Sequence, residues 1–253
     1  YNRLLERSCA LPAECKAGKE TVQIPRDDVE KDLLARLAQA FTPKTRLLSF
    51  LGSVLRRVFP KEFWGSEHNF QSVMRSVQTF IHLRRKERLT NKHLMHGVRI
   101  TQISWLYPDR SLNEAQNDRR GGNNRTNKER TNHGTATILT LKVLRWLFQG
   151  FIIPLLRTNF YATETEFTSQ QIQYYRKPVW ALFRSLSVKK MIRGNHFTRL
   201  SFRRAQEYLK VQQMGISRLR LLPKATGMRP IAQLSLTQTL SFLVKSVHKI
   251  ERK

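Results

Sequence analysis

Residues 159–180, NFYATETEFTSQQIQYYRKPVW, carry the pattern of a β-hairpin that runs directly into a helix. From Phe160 to Phe167 small or acidic residues alternate with Tyr161, Thr163 and Thr165, the period of a strand with two unlike faces. Thr168 to Gln171 is polar and supplies a turn, and Ile172 to Arg176 returns as the second strand. Pro178 then stands where a helix can begin, because its missing N–H is lost from no ladder there. The stretch also gathers Tyr161, Tyr174, Tyr175 and Trp180 beside Arg157, Arg176 and Lys177. Aromatic faces can stack unpaired bases while the cations hold phosphates. The same residues equally fit a hairpin whose aromatics pack on a core, since aromatics favour strands in any case.

Charge narrows the partners. The 253 residues include 46 Lys and Arg against 18 Asp and Glu, a net +28, with 40% hydrophobic content that is compatible with folding. Such a field repels itself unless a polyanion lies against it, and nucleic acid is the expected polyanion. An anionic membrane is the rival; no Lys-rich amphipathic helix or lipidation site supports it, so no membrane partner is expected. Cys9 and Cys15 form no CxxC, and His93 and His96 have no third ligand at metal spacing, so neither a disulfide framework, a zinc finger nor another metal site is expected.

On the N-terminal side of the hairpin the chain is helical in pattern. Residues 1–11 form a short amphipathic segment with Leu4 and Leu5 apolar and Arg3 and Arg7 basic. After a loop over residues 12–26, Asp27 and Asp28 start a helix with the stripe Val29, Leu33, Leu34, Leu37 and Phe41. Pro43 opens a second, with Leu47, Leu48, Leu51, Val54, Leu55 and Val58. A Trp64-Gly65-Ser66 corner follows, Ser66 capping a third helix that buries Phe70, Val73, Met74, Val77, Phe80 and Ile81. Phe63 and Trp105 are expected in the core. Residues 108–135 have almost no apolar side chain and read as a flexible insertion. Ile138 to Leu156 is the most apolar stretch. Lys142 and Arg145 interrupt it, so it reads as the central buried helix, kinked or ended by Pro154, and not as a membrane span.

On the C-terminal side, Val179, Trp180, Leu182, Phe183 and Leu186 mark a helix closed near Gly194, and Ser201 caps another. Arg199, Arg203, Arg204 and Lys210 make that region strongly basic. Residues 217–234 alternate again around Ala225-Thr226-Gly227, a second hairpin, before a last amphipathic helix with Leu240, Leu243, Val244 and Val247. The fold class is therefore mainly α, a helical domain with one inserted β-hairpin and a second short hairpin near the C-terminus.

NFYATETEF with YYRKPVW resembles the T motif of telomerase reverse transcriptases. Residues 58–83, continuing through ERLTNKHLMHGVRITQISWL, resemble the CP motif; ILTLKVLRWLFQGFIIPLL resembles the QFP motif; residues 1–11 resemble the vertebrate-specific RNA-binding motif. Leu222-Pro223-Lys224, Gly227 and Arg229-Pro230-Ile231 are similar to motif 1 of reverse transcriptase fingers. The resemblance implies one telomerase RNA-binding domain over residues 1–253, with the insertion at about 108–135 and the start of the fingers at about 217–234.

It implies an RNA pocket between the CP and T motifs, with Lys61, Trp64, His68, Asn69 and Arg75 as candidates beside Arg157, Tyr161, Tyr174, Tyr175, Arg176, Lys177, Trp180, Arg199, Arg203 and Arg204. Arg3 and Arg7 are further possible contacts under it. Lys224 and Arg229 would approach the nucleotide triphosphate in a parent polymerase. The implied partners are telomerase RNA, at its conserved regions 4 and 5, and other domains of the parent; telomeric DNA would be met only through the full protein. The implied setting is the nucleus, at telomeres. The parent would be an RNA-directed DNA polymerase using Mg2+, whereas this chain is expected to hold no cofactor and to catalyse nothing, because no carboxylate pair follows motif 1 to hold two metal ions. Motif 1 is shared with intron maturases and mobile-element reverse transcriptases, so an RNA-binding part of one of those is the alternative.

Overall fold

A computed structural model describes residues 2–12, 27–107, 125–166, 171–194, 197–211, 217 and 219–232. In chain order the elements are α1 (Asn2–Ser8), α2 (Asp27–Gln39), α3 (Lys44–Val58), α4 (Lys61–Trp64), α5 (Glu67–His82), α6 (Asn91–Met95), two 3₁₀ turns (Ile100–Gln102 and Ser104–Leu106) and α7 (Arg125–Trp146). A π-helical turn (Leu147–Ile152) leads into α8 (Ile153–Asn159), β1 (Phe160–Glu164), β2 (Ile172–Arg176), α9 (Lys177–Arg193), α10 (Phe202–Val211), β3 (Leu219–Lys224) and β4 (Gly227–Ala232). Among the described residues the architecture is mainly α with two two-stranded hairpins, β1-β2 and β3-β4. The turn at 168–171, apart from Gln171, and the last amphipathic helix fall outside the described residues, as does the insertion before Arg125.

The chain divides into two compact units. The first comprises residues 1–16, 41–163 and 170–177. Its core is a single cluster in which Leu47, Phe50, Leu51, Val54 and Leu55 of α3 meet Phe70, Val73, Val77 and Ile81 of α5, Leu147, Phe148 and Ile152 of the π turn, and Phe160 and Tyr174 of the hairpin. The i, i+3, i+4, i+7 spacing in α3 and α5 puts these side chains on one stripe each. Ser66 accepts from the Asn69 N–H at 3.2 Å and caps α5, as its position before the apolar run predicts. Gly65 is required at the corner before it. Its φ is +73°, and a Cβ would stand 2.1 Å from the Gln102 carbonyl oxygen.

The apolar stretch departs from expectation in its start and its burial, and of the two outcomes expected at Pro154, a kink or an end, the end does not occur. The helix begins at Arg125, within the segment read as a flexible insertion. Pro154 does not end it: the Ile153 N–H donates to the Phe148 carbonyl five residues back, and this wider turn carries the chain past a residue that cannot donate and whose ring crowds the α-helical carbonyl before it. The helix is also mostly not buried, with Ile138 57% and Trp146 54% exposed. By length and composition His133–Asn159 could cross a membrane; in this fold Leu144, Leu147, Phe148, Ile152 and Leu156 belong to the protein core.

The second unit comprises residues 17–40, 164–169 and 178–253. Leu34 and Leu37 of α2 are fully buried, but Val29 and the first unit's Phe41, expected on the same stripe, are exposed. Val179, Trp180, Phe183 and Leu186 are the buried face of α9. Arg193, at the end of α9, pairs with the buried Glu30 of α2. In the β3-β4 hairpin Leu222 stands opposite Arg229 and Lys224 opposite Gly227.

Candidate nucleic-acid interface

The first hairpin is held from three directions within its unit. The Thr42 N–H donates to the Tyr174 carbonyl at 2.7 Å, an isolated antiparallel bridge to the residue before Pro43. Tyr175 is fully buried and meets Phe41 edge-on at 6.4 Å. Arg176 is buried and donates to Glu6 at 2.9 Å and to the Cys9 carbonyl at 2.7 Å, fastening α1 to β2 across most of the chain. Burial raises the phenol of Tyr174 to about 12 and pushes that of Tyr175 higher still. The same cause, opposed by the charges of Arg176 and Arg46, lifts the Cys9 thiol to about 11.

The structure thus places Tyr174, Tyr175 and Arg176 in the interior, where neighbouring elements cover them and Glu6 pairs with the guanidinium. Trp180 is likewise buried, edge-on to Phe183 in the second unit. Among the described hairpin aromatics only Tyr161 is exposed; Arg157 in the last turn of α8 and Lys177 at the start of α9 are exposed too.

The α4-α5 corner sorts its candidates the same way. Trp64 is buried in an aromatic cluster with Phe59 (5.7 Å), Phe63 (4.8 Å) and Phe70 (5.2 Å), and Arg56 lies 4.2 Å over the Phe70 ring. Asn69 is a buried hinge pin: its amide donates to the Trp64 and Arg99 carbonyls, both at 3.0 Å, and accepts from the Arg99 N–H at 2.8 Å. Both donors of that amide and one of the two acceptor sites on its oxygen are thereby used, so its main task is to tie the loop at Arg99 to α5. Ser72 and Ser76 bond the Gly97 and His93 carbonyls at 3.0 and 2.8 Å and seat the following loop on α5. His68 is half-buried, while Lys61 and Arg75 remain exposed. Trp105, expected in the core, is 41% exposed; its indole N–H donates to the Phe63 carbonyl at 3.1 Å.

In the second unit Arg199, Arg203 and Arg204 are all exposed. So are Phe197, Leu200, Phe202 and Tyr208 in the same stretch. Sequence reasoning singled out these arginines but passed over the aromatics; the alternation of Phe and Tyr with Arg over 197–208 was the available signal. Lys224 is exposed at the tip of β3. Arg229 is exposed too, but lies 3.5 Å from Glu166. Glu164 pairs with Arg220 at 3.1 Å, and the Glu166 N–H donates to the Pro223 carbonyl at 3.1 Å, so the acidic residues at and just after the end of β1 are seated on the second hairpin.

The residues matched by the family described as "Telomerase ribonucleoprotein complex - RNA binding domain" are 46–191, more than half of the chain. Telomerase reverse transcriptase of Rattus norvegicus is 27% identical over 231 residues, covering 89% of this chain and 19% of the rat protein. A solved structure of a vertebrate RNA-binding domain of telomerase superposes with a TM-score of 0.55 at 27% identity, covering 75% of this chain and 65% of that one. A crystal structure of the TRBD domain of TERT and the CR4/5 of TR shares the fold, with a TM-score of 0.52 at 23% identity over 79% of this chain and 70% of its own. The chain thus spans about a fifth of the length of the curated relative. A mainly helical, strongly cationic module with a strand hairpin feeding a helix is a nucleic-acid-binding class of protein. This chain belongs to the telomerase RNA-binding domain family.

Proposed function

We propose that this chain holds telomerase RNA at the stem junction of its conserved regions 4 and 5 and anchors it to a telomerase reverse transcriptase. The observation that carries this reading is the set of exposed cations, Lys61, Arg75, Arg157, Lys177, Arg199, Arg203 and Arg204, on a chain of net +28 that belongs to this family. Phosphate contacts of this kind set affinity and register, while RNA shape and a few unpaired bases set selectivity.

The parent is then an RNA-directed DNA polymerase acting in the nucleus at telomeres, with its other domains as further partners and telomeric DNA reached only through them; no membrane takes part. On this reading the polymerase's Mg2+ belongs to other parts of the parent, and this chain's share of the work is RNA binding. Lys224 and Arg229 would meet the incoming nucleotide only in that larger assembly.

The test is binding of the chain to conserved regions 4 and 5 RNA, to an equal-length scrambled RNA and to duplex DNA across a salt series. All three should weaken with salt, by about a thousandfold or more between 50 and 200 mM if roughly six phosphates are contacted, with the telomerase RNA keeping its advantage throughout. Parallel loss without preference would leave only a generic polyanion surface, and preference for an intron RNA would favour a maturase-type reverse transcriptase.

A further inference from the structure

On the solvent side of α5, Arg75, one of the RNA-facing cations of the reading above, has neighbours to which the family likeness gives no role. Arg75, Gln78, Thr79 and His82 follow one another at i, i+3, i+4 and i+7, so they share one face of the helix. With Leu83 and Glu87 from the chain just beyond it they line an open cleft of about 450 Å³.

The hydrogen bonds already made decide what the cleft can still offer. Thr79 Oγ1 donates to the Arg75 carbonyl at 3.0 Å. His82 Nδ1 lies 2.8 Å from the Gln78 carbonyl, which requires its proton on Nδ1 and leaves Nε2 for a ligand. Glu87 is fastened by Arg84: Oε2 accepts the Arg84 N–H at 2.8 Å and Oε1 lies 4.0 Å from its Nε. A carboxylate offers about four lone-pair sites, so acceptor capacity remains on both oxygens. The cleft therefore joins a guanidinium, a carboxylate, an amide and an imidazole nitrogen around one apolar side chain, Leu83.

Guanine matches this set best among RNA bases. It presents two acceptors, O6 and N7, on one edge and two adjacent donors, N1–H and N2–H₂, on the other; the first pair suits an arginine and the second a carboxylate. Adenine and cytosine have no such adjacent donor pair, and uracil has a single N–H. The donor edge is free only in an unpaired nucleotide, the state in which proteins read RNA bases. We propose that this cleft receives one unpaired guanine of the bound RNA, with Arg75 toward O6 and N7 and Glu87 accepting from N1–H and N2–H₂. Gln78 and His82 Nε2 close the rim. The assignment rests on the RNA-binding reading above and gives one of its selective contacts a base identity.

The experiment titrates GMP, AMP, CMP, UMP and IMP into the whole chain and follows the His82 imidazole and Arg75 guanidinium resonances by NMR, assigned with His82→Gln and Arg75→Lys. All five share the phosphate, so differences among them report the base. GMP should bind about fivefold or more tightly than AMP, CMP and UMP, the lower end for one bidentate pair, and IMP, which lacks the N2 amino group, should fall between. Glu87→Gln should erase the GMP preference without unfolding the protein, because the side chain is exposed. Equal shifts from all five, no shifts from any, or an unchanged GMP preference in Glu87→Gln would each overturn the guanine cleft. If GMP selects the cleft but telomerase RNA shows no advantage over scrambled RNA, the cleft stands and the choice of RNA falls.

Discussion

Two stretches of this chain combine aromatic and cationic side chains, and folding treats them oppositely. In 174–180 Tyr175 is 0% and Trp180 8% exposed, while in 197–208 Phe202 is 43% and Tyr208 56% exposed. The first stretch lies where Thr42, Phe41 and Glu6 come from distant parts of the chain to cover β2; the exposed aromatics of the second are left facing solvent. An aromatic beside an arginine is thus no guide to a base-stacking surface until its neighbours are known. In the hairpin that carries the family signature Tyr174 and Tyr175 are buried, and the segment 197–208 has the more exposed rings.

That contrast can be broken, beginning with the largest effect. Tyr175→Ala should destabilise the first unit by about 3–5 kcal/mol, as for other buried aromatics, measured by denaturant unfolding. A loss under about 1 kcal/mol with a large drop in RNA affinity would restore Tyr175 to the interface. Next comes alkali. Burial favours the neutral Tyr174 phenol and Cys9 thiol, whose folded values of about 12 and about 11 lie above the ordinary 10 and 9. Their contribution is fully present below pH 9 and is lost as pH rises through 12. Tyrosinate absorbance should show Tyr174 ionising only with unfolding, and stability should fall across that window.

Arg176→Ala should cost about 1.5–3 kcal/mol, the range for hydrogen bonds to a charged group, and free α1 to proteolysis. If RNA affinity falls while stability holds, Arg176 touches RNA after all. Tyr208→Ala should do the reverse: stability within about 0.5 kcal/mol of the parent chain, but about 1–3 kcal/mol of RNA affinity lost if a base stacks there. No change in either would remove the second stretch from the interface. Smallest of all, Arg203→Ala should lower the salt slope of RNA binding by about 1 with little effect on sequence preference.

Much of the fold could be read from spacing. The stripes of α3, apart from the exposed Val58, and of α5, the Ser66 cap, the second strand from Ile172 to Arg176 and the Leu219–Ala232 hairpin follow from local periodicity and turn chemistry. The π turn ahead of Pro154 did not, because the single-sequence cue of a proline also fits a helix end. The candidate site was legible only by residue type. Asn69 carries the same polar amide whether it faces RNA or, as here, pins the loop at Arg99 to α5, and Arg229 carries the same charge whether it is free or set against Glu166.

The sequence by itself determined the mainly helical class, the two hairpins and the cationic character, since these depend on local periodicity and on a sum of charges that no arrangement of the chain can change. Only the tertiary structure decided which aromatics and cations reach solvent. Burial depends on partners as remote as Glu6 is from Arg176, and no local pattern encodes a neighbour brought close only by folding.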